Sequence, residues 1–264
     1  MSDSEQDGQY GDTVADVYTE SAEISSRKYA EFPTLLRQLG PVTGADVLDL
    51  ACGNGIYSRM LAGDGAGRVV GVDRSAAMIE QARALTGPEL PVEYKLGDAA
   101  DVPDLGQFDV VSASFLLNYA ETRQRLAALC DTITRHLRPG GRFAGTIPNS
   151  GYDWDPRRAL DARYGATFSP LAEFSSEPEL RNGDILPLVL HLSTPLAIDQ
   201  RHWTFGTYRE ALEDSGLREV TIVPWLPSQE GIDRFGAEYW KPWTANPLAS
   251  VVTGRKGVGI SSVT

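Results

Sequence analysis

The sequence of 264 residues contains only two cysteines, Cys52 and Cys130, and only three histidines. Two cysteines are too few for a disulfide framework, and neither has a close cysteine or histidine partner, so we expect no metal site. No run of about 18 apolar residues is present, so no segment is predicted to span a membrane. The N-terminus lacks the basic and apolar regions of a signal peptide, and the expected location is cytoplasmic.

Positive charge is also scarce, because 24 Lys and Arg face 36 Asp and Glu, which gives a formal net charge of −12. The resulting field repels polyanions, so we expect neither nucleic acid nor a membrane surface as a partner. Acidity of this kind also keeps many proteins soluble, and it carries no further functional information.

The apolar pattern alternates between the periods of strands and helices. This order predicts an α/β fold, a Rossmann-like doubly wound and mostly parallel sheet of seven strands. The seven predicted strands lie at residues 46–50, 68–72, 92–96, 109–112, 142–147, 219–224 and 250–255. We expect residues 1–264 to form a single domain, with a core at 45–147 and a C-terminal part of the sheet at 204–264.

Two segments fall outside this alternation. Residues 1–44 combine a polar tail with an interrupted helical pattern from residue 12 to residue 39, which predicts an N-terminal helical cap near the first strand. Residues 148–203 follow the fifth strand and are rich in Pro, Asp, Trp and Tyr. We predict that they form an insertion on the substrate side, with a hairpin of strands at 186–192 and 195–202.

A glycine-spaced turn follows the first strand in the segment from Asp49 to Gly55, and such a turn allows the backbone to approach a small ligand closely. Asp73 ends the second strand 20 residues beyond Gly53. At that spacing a carboxylate can accept hydrogen bonds from ribose hydroxyls. The alternative for Asp73 is a charge that faces the dipole of the next helix. Asp98 ends the third strand, and it is either an adenine contact or a plain turn residue.

The turn discriminates between two adenosine ligands. The dinucleotide fingerprint requires a third glycine where this chain has Ser58, and the charge of Asp49 would oppose a pyrophosphate. A ligand that carries an ammonium and a sulfonium would be attracted by the same carboxylate. The electrostatics therefore favour S-adenosylmethionine as cofactor, with NAD as the weaker alternative.

Several segments together, in order and spacing, resemble the successive motifs of class I S-adenosylmethionine-dependent methyltransferases over about residues 45–150. These are Asp49–Gly55, Val72-Asp73, Gly97-Asp98, Phe108–Val111 and Leu137–Phe143. A narrower resemblance links Phe115–Ala120, Phe235–Trp240 and Asn246-Pro247 to the toxoflavin-synthase-like small-molecule methyltransferases.

The resemblance implies which residues hold the cofactor. Ser114 and Phe115 are expected beside its methionine part, and Tyr18 either caps the sulfonium side or is a core aromatic residue. The full expected set is Tyr18, Asp49, Ala51, Gly53, Gly55, Asp73, Arg74, Met78, Asp98, Ala99, Ser114 and Phe115.

The acceptor pocket is expected in the parts that the cofactor core does not explain. Asn118 and Tyr119 are predicted there, together with aromatic residues that either stack on a planar substrate or pack in the core. The aromatic set is Tyr152, Trp154, Phe168, Phe174, Trp203 and Trp240. His191 and His202 are the imidazole bases expected near this region, although a structural histidine is the commoner role. Tyr18 and Tyr119 complete the residues expected at the reacting atoms.

These expectations leave three hypotheses. The first is a methyltransferase that methylates a nitrogen or oxygen of a small molecule, such as a bacterial secondary metabolite, as a monomer or homodimer. The second is an NAD-linked oxidoreductase. The third is a cofactor-binding protein without turnover, which acts through a protein partner.

Overall fold

A computed structural model describes residues 18–155, 157, 160, 162–168 and 179–258. The part of the predicted N-terminal helix at residues 12–17 and the predicted aromatic residue Phe174 lie outside the described residues. No helix within these ranges is long and apolar enough to cross a membrane.

Within the described ranges, ten strands form two sheets. Their bounds are β1 Asp46–Leu50, β2 Arg68–Asp73, β3 Val92–Leu96, β4 Phe108–Ser114, β5 Leu137–Pro148, β6 Ala166–Phe168, β7 Ile185–Leu190, β8 Leu196–Arg201, β9 Leu217–Pro224 and β10 Ala249–Lys256. The large sheet has the order β3-β2-β1-β4-β5-β10-β9. Its first five strands are parallel, and β10 pairs antiparallel with both β5 and β9. This sheet confirms the prediction of a mostly parallel, seven-stranded α/β fold.

Seven α-helices connect and flank these strands. They are α1 Phe32–Leu39, α2 Ile56–Gly63, α3 Ala76–Leu85, α4 Arg123–His136, α5 Phe205–Asp214, α6 Gln229–Phe235 and α7 Ala237–Ala245, as found among the described residues. Hydroxyl residues cap several of them: the Ser75 and Thr122 oxygens accept hydrogen bonds from the Met78 and Arg125 N–H groups. These caps satisfy backbone donors that a helix leaves unpaired at its start.

The strands of the large sheet are apolar because helices cover both of its faces. Val47, Leu48 and Leu50 of β1 are completely buried. On α4, Leu126, Leu129 and the following apolar positions repeat every three to four residues and are buried in the same way. The core therefore holds the carboxyl ends of β1, β2 and β4 in fixed positions at one edge of the sheet.

The segment after β5 contains a small antiparallel sheet in the order β6-β7-β8. The β7–β8 pair confirms the predicted hairpin, and its register pairs Leu186 with Gln200 and Leu188 with Ile198. The strand β6 was not predicted, because three residues are too short to show a period.

The N-terminal segment is helical but irregular. A 3-10 turn spans Thr19–Glu23, a π-helical turn spans Arg27–Glu31, and α1 follows directly. Pro33 lies at the start of α1, where a helix leaves backbone N–H groups unpaired and the missing N–H of proline costs nothing. Wide turns of the π type occur frequently at functional sites. The Arg27–Glu31 turn brings two charged side chains into the interior, where both are buried.

Candidate functional site

The carboxyl ends of β1, β2 and β4 open onto a cavity of about 690 Å³. Ligands bind at this edge of doubly wound sheets. Most residues predicted to bind a cofactor or substrate here do line the cavity, where their ligand contacts stay predictions. They are Tyr18, Ala51, Gly53, Asp73, Arg74, Met78, Asp98, Ala99, Ser114, Phe115, Asn118 and Tyr119.

The glycine turn brings bare backbone to the cavity wall. Ala51, Gly53 and Gly55 have φ angles of 55°, 54° and 76°, in the left-handed region that non-glycine residues rarely occupy. A Cβ atom added to Gly53 would meet nothing within 4 Å. The space that this missing side chain leaves is part of the cavity, so a ligand can approach the Gly53 backbone directly.

Asp73 joins this turn to the next helix. Its carboxylate accepts hydrogen bonds from the Gly53 N–H at 2.8 Å and from the Ser75 N–H at 2.9 Å. Burial raises the pKa of the Asp73 carboxyl, although both N–H groups act in the opposite direction. Each carboxylate oxygen has a second lone pair, so the group can still accept hydrogen bonds from ligand hydroxyls.

Asp98 also lines the cavity and forms an ion pair with Arg125 of α4. It also accepts a hydrogen bond from the Ala100 N–H at 2.9 Å. Partial burial opposes ionisation, but Arg125 and the N–H group outweigh it, and the pKa of Asp98 is lowered. Arg125 also lines the cavity. The prediction missed it because the exposed positions of an amphipathic helix carry no pattern that marks one arginine.

Asp49 was predicted to face the ligand, and the structure corrects this prediction. Its side chain is buried beneath the turn and outside the cavity lining, where it accepts a 2.6 Å hydrogen bond from the Ser58 hydroxyl. Burial raises the pKa of Asp49 to about 6, although the Ser58 hydroxyl lowers it. The residue that replaces a third glycine is therefore the partner of this carboxyl group, and the pair supports the turn from behind.

Gly55 is also absent from the cavity lining. A Cβ atom at this position would lie 2.2 Å from the Tyr94 phenol oxygen. Close packing against Tyr94 is therefore the physical reason for this glycine, which corrects its prediction as a ligand contact.

A smaller inner pocket of about 50 Å³ adjoins the cavity and shares Tyr18, Phe115 and Tyr119 with it. The remaining wall is mainly apolar and comes from the small sheet and from the ends of β5 and β10. Its apolar and aromatic residues include Pro148, Ala166, Phe168, Leu188, Leu190, Ile198, Trp225, Leu248 and Ala249. A pocket of this volume holds only a small apolar group, so a larger ligand would extend into the adjoining cavity.

Two charged residues that were not predicted, Arg27 and Glu31, also line the inner pocket. Their Nε and Oε2 atoms are 2.8 Å apart. Glu31 Oε1 accepts further hydrogen bonds from the Tyr57 hydroxyl at 2.6 Å and from the Ser114 hydroxyl at 3.3 Å. Burial alone would lower the pKa of Arg27, but the negative charge of Glu31 raises it. The guanidinium and the carboxylate therefore lie side by side as an ion pair next to the pocket.

Several predicted aromatic contacts are core residues instead. The Trp203 and Trp240 indole N–H groups donate to the Ala120 and Gly231 carbonyls at 3.1 Å and 2.9 Å, and both rings are buried away from the two cavities. Tyr152 and Trp154 also lie outside the lining residues, and they pack against the pocket residue Phe168. Their ring centroids are 5.0 Å and 5.4 Å from that of Phe168.

The two predicted imidazole bases lie away from the cavities as well. His191 is exposed and its Nε2 atom is 2.9 Å from the Thr167 hydroxyl. His202 is buried, and burial lowers its pKa. Of the described residues that line the two cavities, none is a histidine. These positions correct the prediction that either imidazole is available to a substrate.

Comparisons with known proteins agree with this geometry. Residues 47–141 match the family described as a methyltransferase domain. Demethylmenaquinone methyltransferase from Clavibacter sepedonicus is 43% identical over 109 residues, which cover 40% of this chain and 42% of that protein. N-demethylindolmycin N-methyltransferase from Streptomyces griseus is 28% identical over 222 residues, which cover 77% of this chain and 87% of that protein.

A solved structure shares the fold. The S-adenosylmethionine-dependent methyltransferase from Mesorhizobium loti superposes with a TM-score of 0.61 at 24% identity, over 88% of this chain and 100% of that chain. At this identity the likeness shows the fold alone. The match to the Clavibacter protein spans less than half of that protein.

The two glycines of the turn are expected to respond differently to substitution. Gly55→Ala should lower the free energy of unfolding by about 2–4 kcal/mol, because the new methyl group clashes with Tyr94 at a left-handed position. Gly53→Ala should cost only about 1–2 kcal/mol. Its methyl group projects into the cavity where a ligand would approach the backbone, so binding of S-adenosylhomocysteine should weaken by about tenfold or more. Urea unfolding measures the free energy of unfolding, and calorimetry measures the affinity for S-adenosylhomocysteine. If the two variants lose the same stability and the same affinity, the cavity does not lie at Gly53.

Asp49 should make stability depend on pH. Its folded pKa of about 6 lies above the ordinary 3.8, so its contribution favours folding below pH 3.8 and is lost as the pH rises past 6. Asp49→Asn removes this loss and can keep the Ser58 hydrogen bond. The stability of the variant relative to the parent should therefore rise by about 1–1.5 kcal/mol between pH 5 and pH 7.5. Urea unfolding measures it. The control Asp64→Asn, at an exposed carboxylate, should show no such rise. If the stability difference between Asp49→Asn and the parent does not change with pH, Asp49 is not a buried carboxyl group with a raised pKa.

Proposed function

We propose that this chain, whose residues 47–141 form an S-adenosylmethionine-dependent methyltransferase core, methylates a nitrogen or oxygen of a small molecule. One observation carries the proposal. The larger cavity, which exposes the Gly53 backbone and the Asp73 carboxylate, adjoins a second, mainly apolar pocket, and both are lined by Tyr18, Phe115 and Tyr119. Two neighbouring compartments of this kind suit a methyl donor and a methyl acceptor.

The residues of the larger cavity fit S-adenosylmethionine. The open space at Gly53 admits close backbone approach, and Asp73 has lone pairs for ribose hydroxyls. Ala99 and Met78 offer apolar surface for an adenine ring. Ser114 lines the larger cavity, and Phe115 lies at its boundary with the inner pocket. When bound, this cofactor supplies an electrophilic methyl group on a positively charged sulfur atom.

We infer that the acceptor lies in the larger cavity beside its boundary with the inner pocket, with an apolar part toward Phe115, Phe168 and Trp225. The name of the Streptomyces relative, N-demethylindolmycin N-methyltransferase, supports nitrogen as the methylated atom and a bacterial secondary metabolite as the acceptor. The narrower likeness to toxoflavin-synthase-like enzymes is a proposal of the same kind. We place the reaction in the cytoplasm and in a single domain that acts as a monomer or homodimer.

The chain contributes mainly position and exclusion of water. Direct displacement requires the nucleophile to lie in line with the methyl carbon and its leaving group, and such orientation can contribute about 7–11 kcal/mol. The shared residues Tyr18, Phe115 and Tyr119 stand where the two compartments meet and can hold this alignment. Phe115 keeps a left-handed backbone with a φ of 54°, a strained conformation that is often found at functional sites.

The direct test is an incubation with isotopically labelled S-adenosylmethionine and a panel of nitrogen heterocycles, amines and phenols, followed by mass spectrometry of the products. We expect label in at least one N- or O-methylated product. Calorimetry with S-adenosylhomocysteine runs beside it. Absence of cofactor binding would overturn the proposal, and tight binding without any product would favour a cofactor-binding protein that acts through a partner.

Asp73→Ala should weaken S-adenosylhomocysteine binding by about 1–3 kcal/mol, because ribose hydrogen bonds and the anchor of the Gly53 N–H are both lost. Isothermal titration calorimetry measures the change. Asp214→Ala, an exposed carboxylate at the end of α5, is the matched control and should bind as the parent does. Unchanged affinity in a folded Asp73→Ala variant would show that the cofactor does not use this carboxylate.

Substitution of the two histidines should have little effect on turnover. A general base contributes about 10²–10⁴-fold to a rate, and neither imidazole reaches the cavities. We expect His191→Ala and His202→Gln to retain kcat within about threefold, measured with an acceptor from the panel. A decrease in kcat of about a hundredfold or more in either folded variant would show that this histidine acts as a general base.

A further inference from the structure

An amide pair lies where the two compartments adjoin. Asn118 lines the larger cavity and Gln200 lines the inner pocket. Asn118 Nδ2 donates a hydrogen bond to Gln200 Oε1 at 3.1 Å, although the residues are 82 positions apart in the chain. Both residues are buried, with exposed fractions of 0% and 3%. The pair therefore links the turn after β4 to strand β8 at the boundary between the compartments.

This pair leaves hydrogen-bonding capacity unused. Asn118 Oδ1 is buried without a hydrogen-bond donor. Among the described residues, none accepts a hydrogen bond from Gln200 Nε2. Buried polar atoms normally have a partner, because leaving one unpaired costs free energy. In the wall of a binding site, a ligand with the complementary group can satisfy such an atom.

The unused groups do not depend on how the two amides are oriented. If both amides are flipped, Gln200 Nε2 donates to Asn118 Oδ1, and Asn118 Nδ2 and Gln200 Oε1 become the unused pair. Either orientation leaves one carbonyl oxygen and one NH₂ group. The pair therefore offers one hydrogen-bond acceptor and one donor, both uncharged, at the boundary between the two compartments.

We propose that the Asn118–Gln200 pair recognises an acceptor edge in which an N–H group lies beside a carbonyl oxygen or a ring nitrogen. Lactams, cyclic ureas and amidine-type heterocycles have this edge. Phe115, Phe168 and Trp225 on the side of the inner pocket offer apolar surface to an edge of such a ring. A simple alkyl amine or a phenol lacks two such adjacent atoms. The inference rests on the proposed function and narrows its substrate class.

The experiment compares two probes that differ in a single N–H group. Quinazolin-4(3H)-one carries the edge, and 3-methylquinazolin-4-one lacks its donor. Calorimetry with protein saturated with S-adenosylhomocysteine should show that the first binds at least about fivefold tighter, as expected for one lost hydrogen bond. Asn118→Leu and Gln200→Glu should each reduce this preference to below about twofold. Gln107→Leu, at an exposed amide outside both cavities, should preserve it.

The outcomes separate this inference from the proposed function. S-adenosylhomocysteine affinity is measured first, and its absence in the parent protein overturns the proposed function. If S-adenosylhomocysteine binds but the parent protein fails to distinguish the two probes, only the amide-pair inference is overturned. The same holds if the parent protein binds neither probe at millimolar concentration. Retention of the preference in both amide variants overturns it as well. Gln200→Glu preserves the side-chain shape, so the test stands even if Asn118→Leu does not fold.

Discussion

The shape of the cavity depends on one carboxylate that accepts hydrogen bonds from two backbone N–H groups. Asp73 accepts hydrogen bonds from Gly53 and Ser75, and so it fixes the turn after β1 against the start of α3. Burial makes this negative charge costly, and the raised pKa shows that the two hydrogen bonds only partly offset the cost. Asp49 and Ser58 brace the same turn from behind. The bare backbone at Gly53 thereby keeps its place at the cavity wall.

The inner pocket shows how an apolar compartment can contain charge. Arg27 and Glu31 are buried together, and Tyr57 and Ser114 donate to the carboxylate. Buried ions of opposite sign are tolerated when each has its partner and its hydrogen bonds. Because the pair is compensated, it gives the pocket polarity without a net charge, which agrees with a neutral acceptor. The neutral amides of Asn118 and Gln200 extend the same character to the boundary with the larger cavity.

Regular local patterns account for the parts of the fold that could be predicted. All seven strands of the large sheet follow short apolar runs bounded by turns, and α4 follows a clear three-to-four spacing. The helices α6 and α7 were not predicted, because Gly236 separates them and Pro242 interrupts the second. Strand β6 has only three residues, Ala166–Phe168. Such short or interrupted elements are held by their neighbours and leave little periodic signal.

The sequence by itself determined the sheet, the glycine turn and the set of residues at the strand ends, since each depends on spacing within one strand–turn–helix unit. Only the tertiary structure decided which side chains face the cavities. It left Asp49 and Gly55 outside the cavity lining and packed Trp203 and Trp240 into the core. It also brought Arg27, Glu31 and Gln200 to the inner pocket. The physical reason is that a buried polar group finds its hydrogen-bond partner far away in the chain, as the Asn118 NH₂ group does at Gln200 Oε1.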